Sequence, residues 1–140
     1  MFEALGHKLG YPSRRRWSAA LPTDGVWLAP DGVAGWENLP VVAIEVVVSE
    51  SPKVSRGSIS TLCAVSPALG VIVLQDEEIR RGFAKKGMAE SEIAKRLKLQ
   101  REHLEGQAAR TVQRIVVWDL GQLRRRYQLG TGRKSIYTAA

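Results

Sequence analysis

The stretch VVAIEVVVSESPK, residues 41 to 53, decides the fold. Seven of the eight residues from Val41 to Val48 are Val, Ala or Ile. Such a run predicts a β-strand covered on both faces, the kind found at the centre of a sheet with helices on either side. Ser51-Pro52 then marks a helix start, with serine at the N-cap and proline, whose missing N–H costs nothing there, at the first helical position. One residue does not fit an apolar strand. Glu45 sits in its middle, and a carboxylate in such a place needs a cation or a proton.

Working outward, VIVL at residues 71–74 predicts a second buried strand. Between the two strands, Val54, Ile59, Leu62, Cys63 and Val65 are expected on the inner side of the helix, which ends at Pro67 and Gly70. On the other side, PTDGVWLAP carries a strand in which Val26 and Leu28 alternate with Gly25 and Trp27. DGVAGWENLP, rich in glycine, reads as the connecting loop. MFEALGHKLG suits a short helix closed by Gly10, and RRRWSAAL reads as extended. RIVVW at 114–118 is a last strand and DLGQLRRRY a last helix. The order predicts a single α/β domain over residues 1–140, with a central mixed β-sheet flanked by helices.

Residues 76–113 are polar, with helical periodicity in their second half. SEIAKRLKLQREHLEG, residues 91–106, is superficially similar to a helix-turn-helix unit. Lys98-Leu99-Gln100 contains no chain-breaking residue, however. Ala89, Ile93, Leu97, Leu104 and Ala108 also fall on one stripe, which favours one continuous helix.

The chain carries 21 Lys and Arg against 14 Asp and Glu, a formal net charge of +7, and its pI is near 10.0. This balance points to an acidic partner, nucleic acid being the commonest. No segment has the roughly 18–20 apolar residues of a membrane span. The first residues lack the apolar core of a signal peptide, so the expectation is a cytoplasmic protein without membrane attachment. The single cysteine, Cys63, excludes an intrachain disulfide and a Cys-rich zinc site and reads as a packed thiol. His7 and His103 lack metal-ligand spacing. There is no phosphate-binding glycine loop, GxSxG elbow or Cys-His pair.

Glu45 shares its strand face with Val41, Ala43 and Val47. Asp24 stands near the start of the preceding strand. Two carboxylates that converge in a poorly solvated place repel each other unless a cation lies between them. Oxygen ligands of this kind suit Mg²⁺ or Mn²⁺, which activate water and stabilise charge on a phosphate. The alternative for Glu45 is an ion pair with Arg16 or Arg114.

PTDGVW, AIEVVVS, the helix from Pro52 and the strand VIVL together resemble the PD-(D/E)xK nuclease superfamily, which includes restriction endonucleases, Holliday junction resolvases and repair nucleases. The resemblance covers residues 1–75. It implies a restriction endonuclease-like core and a metal-dependent DNA endonuclease that hydrolyses phosphodiester bonds, junction resolvase-like or restriction-like, working as a homodimer on DNA. Asp24 and Glu45 take the positions of the two acids. Glu3, on the first helix, takes that of a further metal-site acid found in some members. The pattern's lysine, two residues after the second acid, is replaced by Val47. Lys53, at the start of the next helix, is the substitute the resemblance offers, followed by Arg56, while Glu50 would add a carboxylate. The alternative is a non-catalytic nucleic-acid-binding protein that retains the nuclease fold.

Basic runs supply candidate phosphate contacts. Arg14, Arg15 and Arg16 precede the Asp24 strand, Arg56 lies on the helix after Glu45, and Arg124, Arg125 and Arg126 lie on the last helix. Arg110, Arg114, Arg133 and Lys134 extend the C-terminal cluster, and Trp17 and Tyr127 stand beside the runs as stacking partners.

Overall fold

The fold is seen in a computed structural model, which describes residues 1–30, 39–49 and 51–132. Residues 31–38 of the loop expected over 31–40, together with Glu50, Arg133 and Lys134, lie outside the described residues, and Pro40 already belongs to a strand. Along the chain, α1 (Phe2–Lys8) is followed by β1 (Ser13–Arg14), β2 (Gly25–Leu28), β3 (Pro40–Val47), α2 (Pro52–Val65) and β4 (Leu69–Leu74). Then come α3 (Asp76–Lys85), α4 (Glu90–Ala109), β5 (Ile115–Asp119) and α5 (Leu120–Gly132).

The strands form one five-stranded mixed sheet in the order β1-β2-β3-β4-β5. β1, β2 and β3 pair antiparallel, while β3, β4 and β5 pair parallel. Parallel neighbours require crossover connections. α2 makes the first, and α3 with α4 makes the second.

Two apolar layers sandwich the sheet. On one face Val26, Ala43, Val47, Ile72, Leu74 and Val117 pack under α2, α3 and α4, with Leu62, Ile93 and Leu104 deeply buried. On the other face Trp27, Val42, Ile44, Val71 and Val73 pack under Phe2 and Leu5 of α1 and Leu123 of α5. The domain is therefore a three-layer α/β/α arrangement. No helix among the described residues is long and apolar enough to cross a membrane.

Local chemistry sets the boundaries. Gly10 takes φ +86 after α1, a left-handed conformation that glycine adopts without strain. Gly6 lets α1 close on the sheet, because a Cβ there would overlap Ser13 and Trp27. α2 begins at Pro52 after Ser51, although Ser51 makes no side-chain capping bond. α4 is one continuous helix, and it buries Ile93, Leu97, Gln100, Leu104 and Ala108.

The inner side of α2 differs from expectation. Ser55, Ser58, Ile59, Leu62 and Val65 are buried, Val54 is 40 % exposed, and Cys63 is only partly buried. The inward stripe follows the spacing i, i+3, i+4, i+7, and Val54 lies about 100° off it.

The joint between β5 and α5 is braced by a polar network. The Gln122 N–H donates to Asp119 Oδ1 at 2.7 Å, and the Asp119 N–H donates to Gln122 Oε1 at 2.9 Å. This reciprocal pair is a capping box. Arg101 of α4 donates to Asp119 Oδ2, the Val117 carbonyl and Gln122 Oε1, and pairs with Glu105. Arg101→Ala is expected to lower stability by about 2 kcal/mol, because partly buried acceptors lose a charged donor. Urea unfolding of the two proteins measures this.

Candidate metal site at the start of β2 and the end of β3

Gly25 pairs with Ile44, so Asp24 enters the sheet opposite Glu45. The Asp24 N–H donates to the Ile44 carbonyl at 3.1 Å. Asp24 Oδ2 in turn accepts from the Val46 N–H at 2.8 Å. The aspartate is thus fixed to β3 from both its backbone and its side chain. Residues opposed on antiparallel strands project to the same face, and here that is the face covered by α2.

Glu45 is partly buried on this face. Burial, first, and the nearby Asp24 charge, second, push its carboxyl up from an ordinary 4.5 to about 7. Hydrogen bonds from the Ser58 hydroxyl of α2 and from the Asp24 backbone offset part of that shift. Glu45 Oε1 is buried and has no hydrogen-bond partner. No ion pair to Arg16, Arg114 or any other described residue neutralises it. An unpartnered carboxylate oxygen beside a second carboxylate can hold a shared proton or a cation. Both states remove the repulsion.

Ser58 is not among the residues that apolar periodicity selects on the α2 stripe, which are Val54, Ile59, Leu62, Cys63 and Val65. Ser55 and Ser58, three residues apart and immediately before Ile59 and Leu62, were the available signal. Two small polar side chains on an inward helical stripe mark a polar spot on the facing strand.

The other candidates are not all brought to the pair. Glu3 is exposed on α1, the helix that covers the opposite face of the sheet. No three His, Cys, Asp or Glu side chains gather among the described residues. Val47 is fully buried in the α2-side core. Lys53, in the first turn of α2, is exposed and forms no ion pair with either acid. Arg56 is also exposed and lines a groove between α2 and α4 with Cys63, Gln107 and Arg110.

Of the N-terminal arginines, Arg14 pairs in register with Val26, two residues from Asp24, and so lies on the same face as the acids. Its side chain is partly buried, with Nε unpartnered and the guanidinium 5.5 Å from the Trp17 ring. Arg15 and Arg16 are exposed. Helix α5 packs on the far face of the sheet through Leu123. Arg124 pairs with Glu77 at 2.6 Å, Arg126 stacks 4.2 Å from the centre of the Trp118 ring, and Arg125 is exposed. Tyr127 is engaged by Lys8, which donates to its hydroxyl and lies over its ring.

Comparisons with family models, curated proteins and solved structures return no match to this chain. The site therefore stands on its own geometry.

Proposed function

We propose that this protein is a metal-dependent nuclease of the PD-(D/E)xK type, acting in the cytoplasm on phosphodiester bonds of DNA as a homodimer. The observation that carries the reading is Glu45 Oε1, buried and unpartnered beside the Asp24 carboxylate. The element order helix, three strands, helix, strand agrees with the resemblance of residues 1–75 to that superfamily.

The donor set fits Mg²⁺ or Mn²⁺. Both are hard ions that take oxygen ligands, and Mg²⁺ usually keeps several waters beside one or two carboxylates. Asp24 and Glu45 would hold the ion, and its chemistry there is activation of water together with charge stabilisation on a phosphate. The chain's own residues do the positioning. Asp24 is tied to β3 through the Val46 N–H, Ser58 orients Glu45 from α2, and Arg14 adds positive charge on the same face.

A second reading, a nucleic-acid-binding protein without catalysis, is favoured by one specific observation. Valine is buried where the nuclease pattern has lysine, and Lys53 is exposed and unpaired with the acids. Incubation of linear and branched DNA with Mg²⁺, Mn²⁺ or EDTA separates the two. Cutting with metal and none in EDTA supports the nuclease. Binding without cutting in any metal supports the second reading, and neither binding nor cutting overturns both.

The pair also predicts a pH dependence. In the folded chain Glu45 keeps its proton up to about pH 7, whereas in the unfolded chain it ionises near 4.5. Its cost to stability is therefore absent below 4.5, grows as pH rises to 7, and is complete above 7. Glu45→Gln removes that cost while keeping an acceptor for Ser58. It is expected to leave the melting temperature unchanged near pH 4 and to raise it at pH 8. Discounted for solvent screening, the gain is about 1–2 kcal/mol, or roughly 3–8 °C. Thermal unfolding at the two pH values measures it, and equal gains at both would show that the ionised pair carries no penalty.

A further inference from the structure

Helix α5 packs on the sheet face opposite Asp24 and Glu45, Arg124 is already paired with Glu77 and Arg126 lies on Trp118, so a polyanion approaching the acids needs positive charge from another element. A cleft of about 450 Å³ opens between the end of β3 and the flank of α3. It is lined by Val48, Ser49, Glu78, Arg81, Lys85 and Lys86. Its size falls within the roughly 300–1,000 Å³ of ligand-binding clefts.

Three cations face one acid in this cleft. Arg81 and Lys85 are four residues apart and project from the same side of α3. Ile79 and Phe83 anchor the helix to the core. Arg81, Lys85 and Lys86 are exposed, and among the described residues none has an ion-pair partner. The nearby acids are engaged elsewhere, Glu77 with Arg124 and Glu90 with Arg80. On an ordinary solvated helix face such cations diverge into water, but here they converge on a concave surface. The floor is also left bare. Gly82 lines the cleft in mid-helix, and a Cβ there would meet nothing within 4 Å, although alanine is the better helix former.

The cleft adjoins the acid pair. Val48 and Ser49 lie three and four residues beyond Glu45 on the same chain, just past the end of β3 at Val47, at most roughly 10–13 Å even at the rise of an extended strand. A nucleic-acid strand rising about 3.4 Å per nucleotide covers that distance in three or four nucleotides.

We infer that this cleft holds backbone phosphates of a nucleic-acid strand that leads to Asp24 and Glu45, with Arg81, Lys85 and Lys86 as phosphate-binding residues. The inference rests on nucleic acid being the partner, as in the function proposed above.

The test is fluorescence anisotropy of a labelled DNA oligonucleotide, single-stranded and duplex, in EDTA over a range of salt. EDTA separates binding from any metal held by the acids. Arg81→Glu combined with Lys85→Glu is expected to weaken binding by about 10–100-fold and to flatten the slope of log K against log salt by about 2. Gly82→Glu weakens binding in the same direction, and Gly82→Ala binds like the parent. All three substituted positions are exposed, so circular dichroism should show unchanged folding. A parent that binds DNA while the charge-reversed proteins bind equally well overturns the cleft and leaves the nuclease reading standing. A parent that binds neither form at low salt, or one from which millimolar inorganic phosphate displaces the DNA, overturns it as well. A protein whose DNA binding depends on the cleft but that never cuts overturns the nuclease reading alone.

Discussion

Asp24→Asn and Glu45→Gln should each slow Mn²⁺-dependent cleavage of DNA by about 10³-fold or more, a loss of roughly 4 kcal/mol of transition-state stabilisation. Each change removes one of two carboxylates from a place where burial has already stripped water from Glu45. DNA binding in EDTA should stay within a few-fold of the parent, because neither acid contacts phosphate without the metal. Loss of fold does not explain such a result, since Glu45→Gln is expected to be the more stable protein at pH 8. Single-turnover cleavage of labelled linear and branched DNA measures the effect. Variants that cut as fast as the parent would remove the pair from the chemistry.

Val47→Lys should destabilise the protein by about 2–4 kcal/mol, lowering its melting temperature by roughly 10 °C. The nuclease pattern has lysine at this position, and sequence alone makes the substitution look like a restoration. The structure gives the opposite expectation. Val47 is completely buried, in one layer with Ala43, Ile59, Leu62 and Leu74. A lysine there must fit a longer chain into packed space and take its ammonium out of water. Glu45, two residues back on the same face, is the acid it would have to reach. That pairing offsets part of the cost without repairing the packing. Urea unfolding measures the change. Unaltered stability, with cleavage gained, would show that the layer has room and that lysine belongs in it.

These two outcomes reflect what the chain shows as a string and what it hides. The apolar run at 41–48 and the Ser51-Pro52 start were legible because each depends on local chemistry, whereas the antiparallel register of β2 on β3 is what sets Asp24 opposite Glu45. In sequence β2 alternates Val26 and Leu28 with Gly25 and Trp27, yet all four residues are buried. The second face is closed by α1, where Phe2 stacks on Trp27 at 4.7 Å and Trp27 Nε1 donates to the Phe2 carbonyl. That contact joins residues 25 apart, and alternation cannot reveal it. Helix α3 was hidden in a polar stretch because only Ile79 and Phe83 reach the core. Its other signs were present: acids at 76–78, Lys85 in the last turn and Gly87, at φ +78, just beyond. The arginines at 124–126 were visible as charge, but the face of the sheet that α5 covers is set by tertiary packing. The engagement of Arg124 with Glu77 and of Arg126 with Trp118 follows from that packing.

Calorimetric titration of Mn²⁺ into the metal-free protein, at about pH 6 and about pH 8.5 in buffers of different ionisation enthalpy, tests the acid pair most directly. One ion should bind per chain. At the lower pH binding should release close to one proton, because Glu45 is protonated there with a carboxyl pushed up to about 7, and at the higher pH it should release almost none. Both the binding and the proton release should disappear in Glu45→Gln and Asp24→Asn. A parent that binds no Mn²⁺ at either pH, or variants that bind it as the parent does, would contradict a cation site between Asp24 and Glu45.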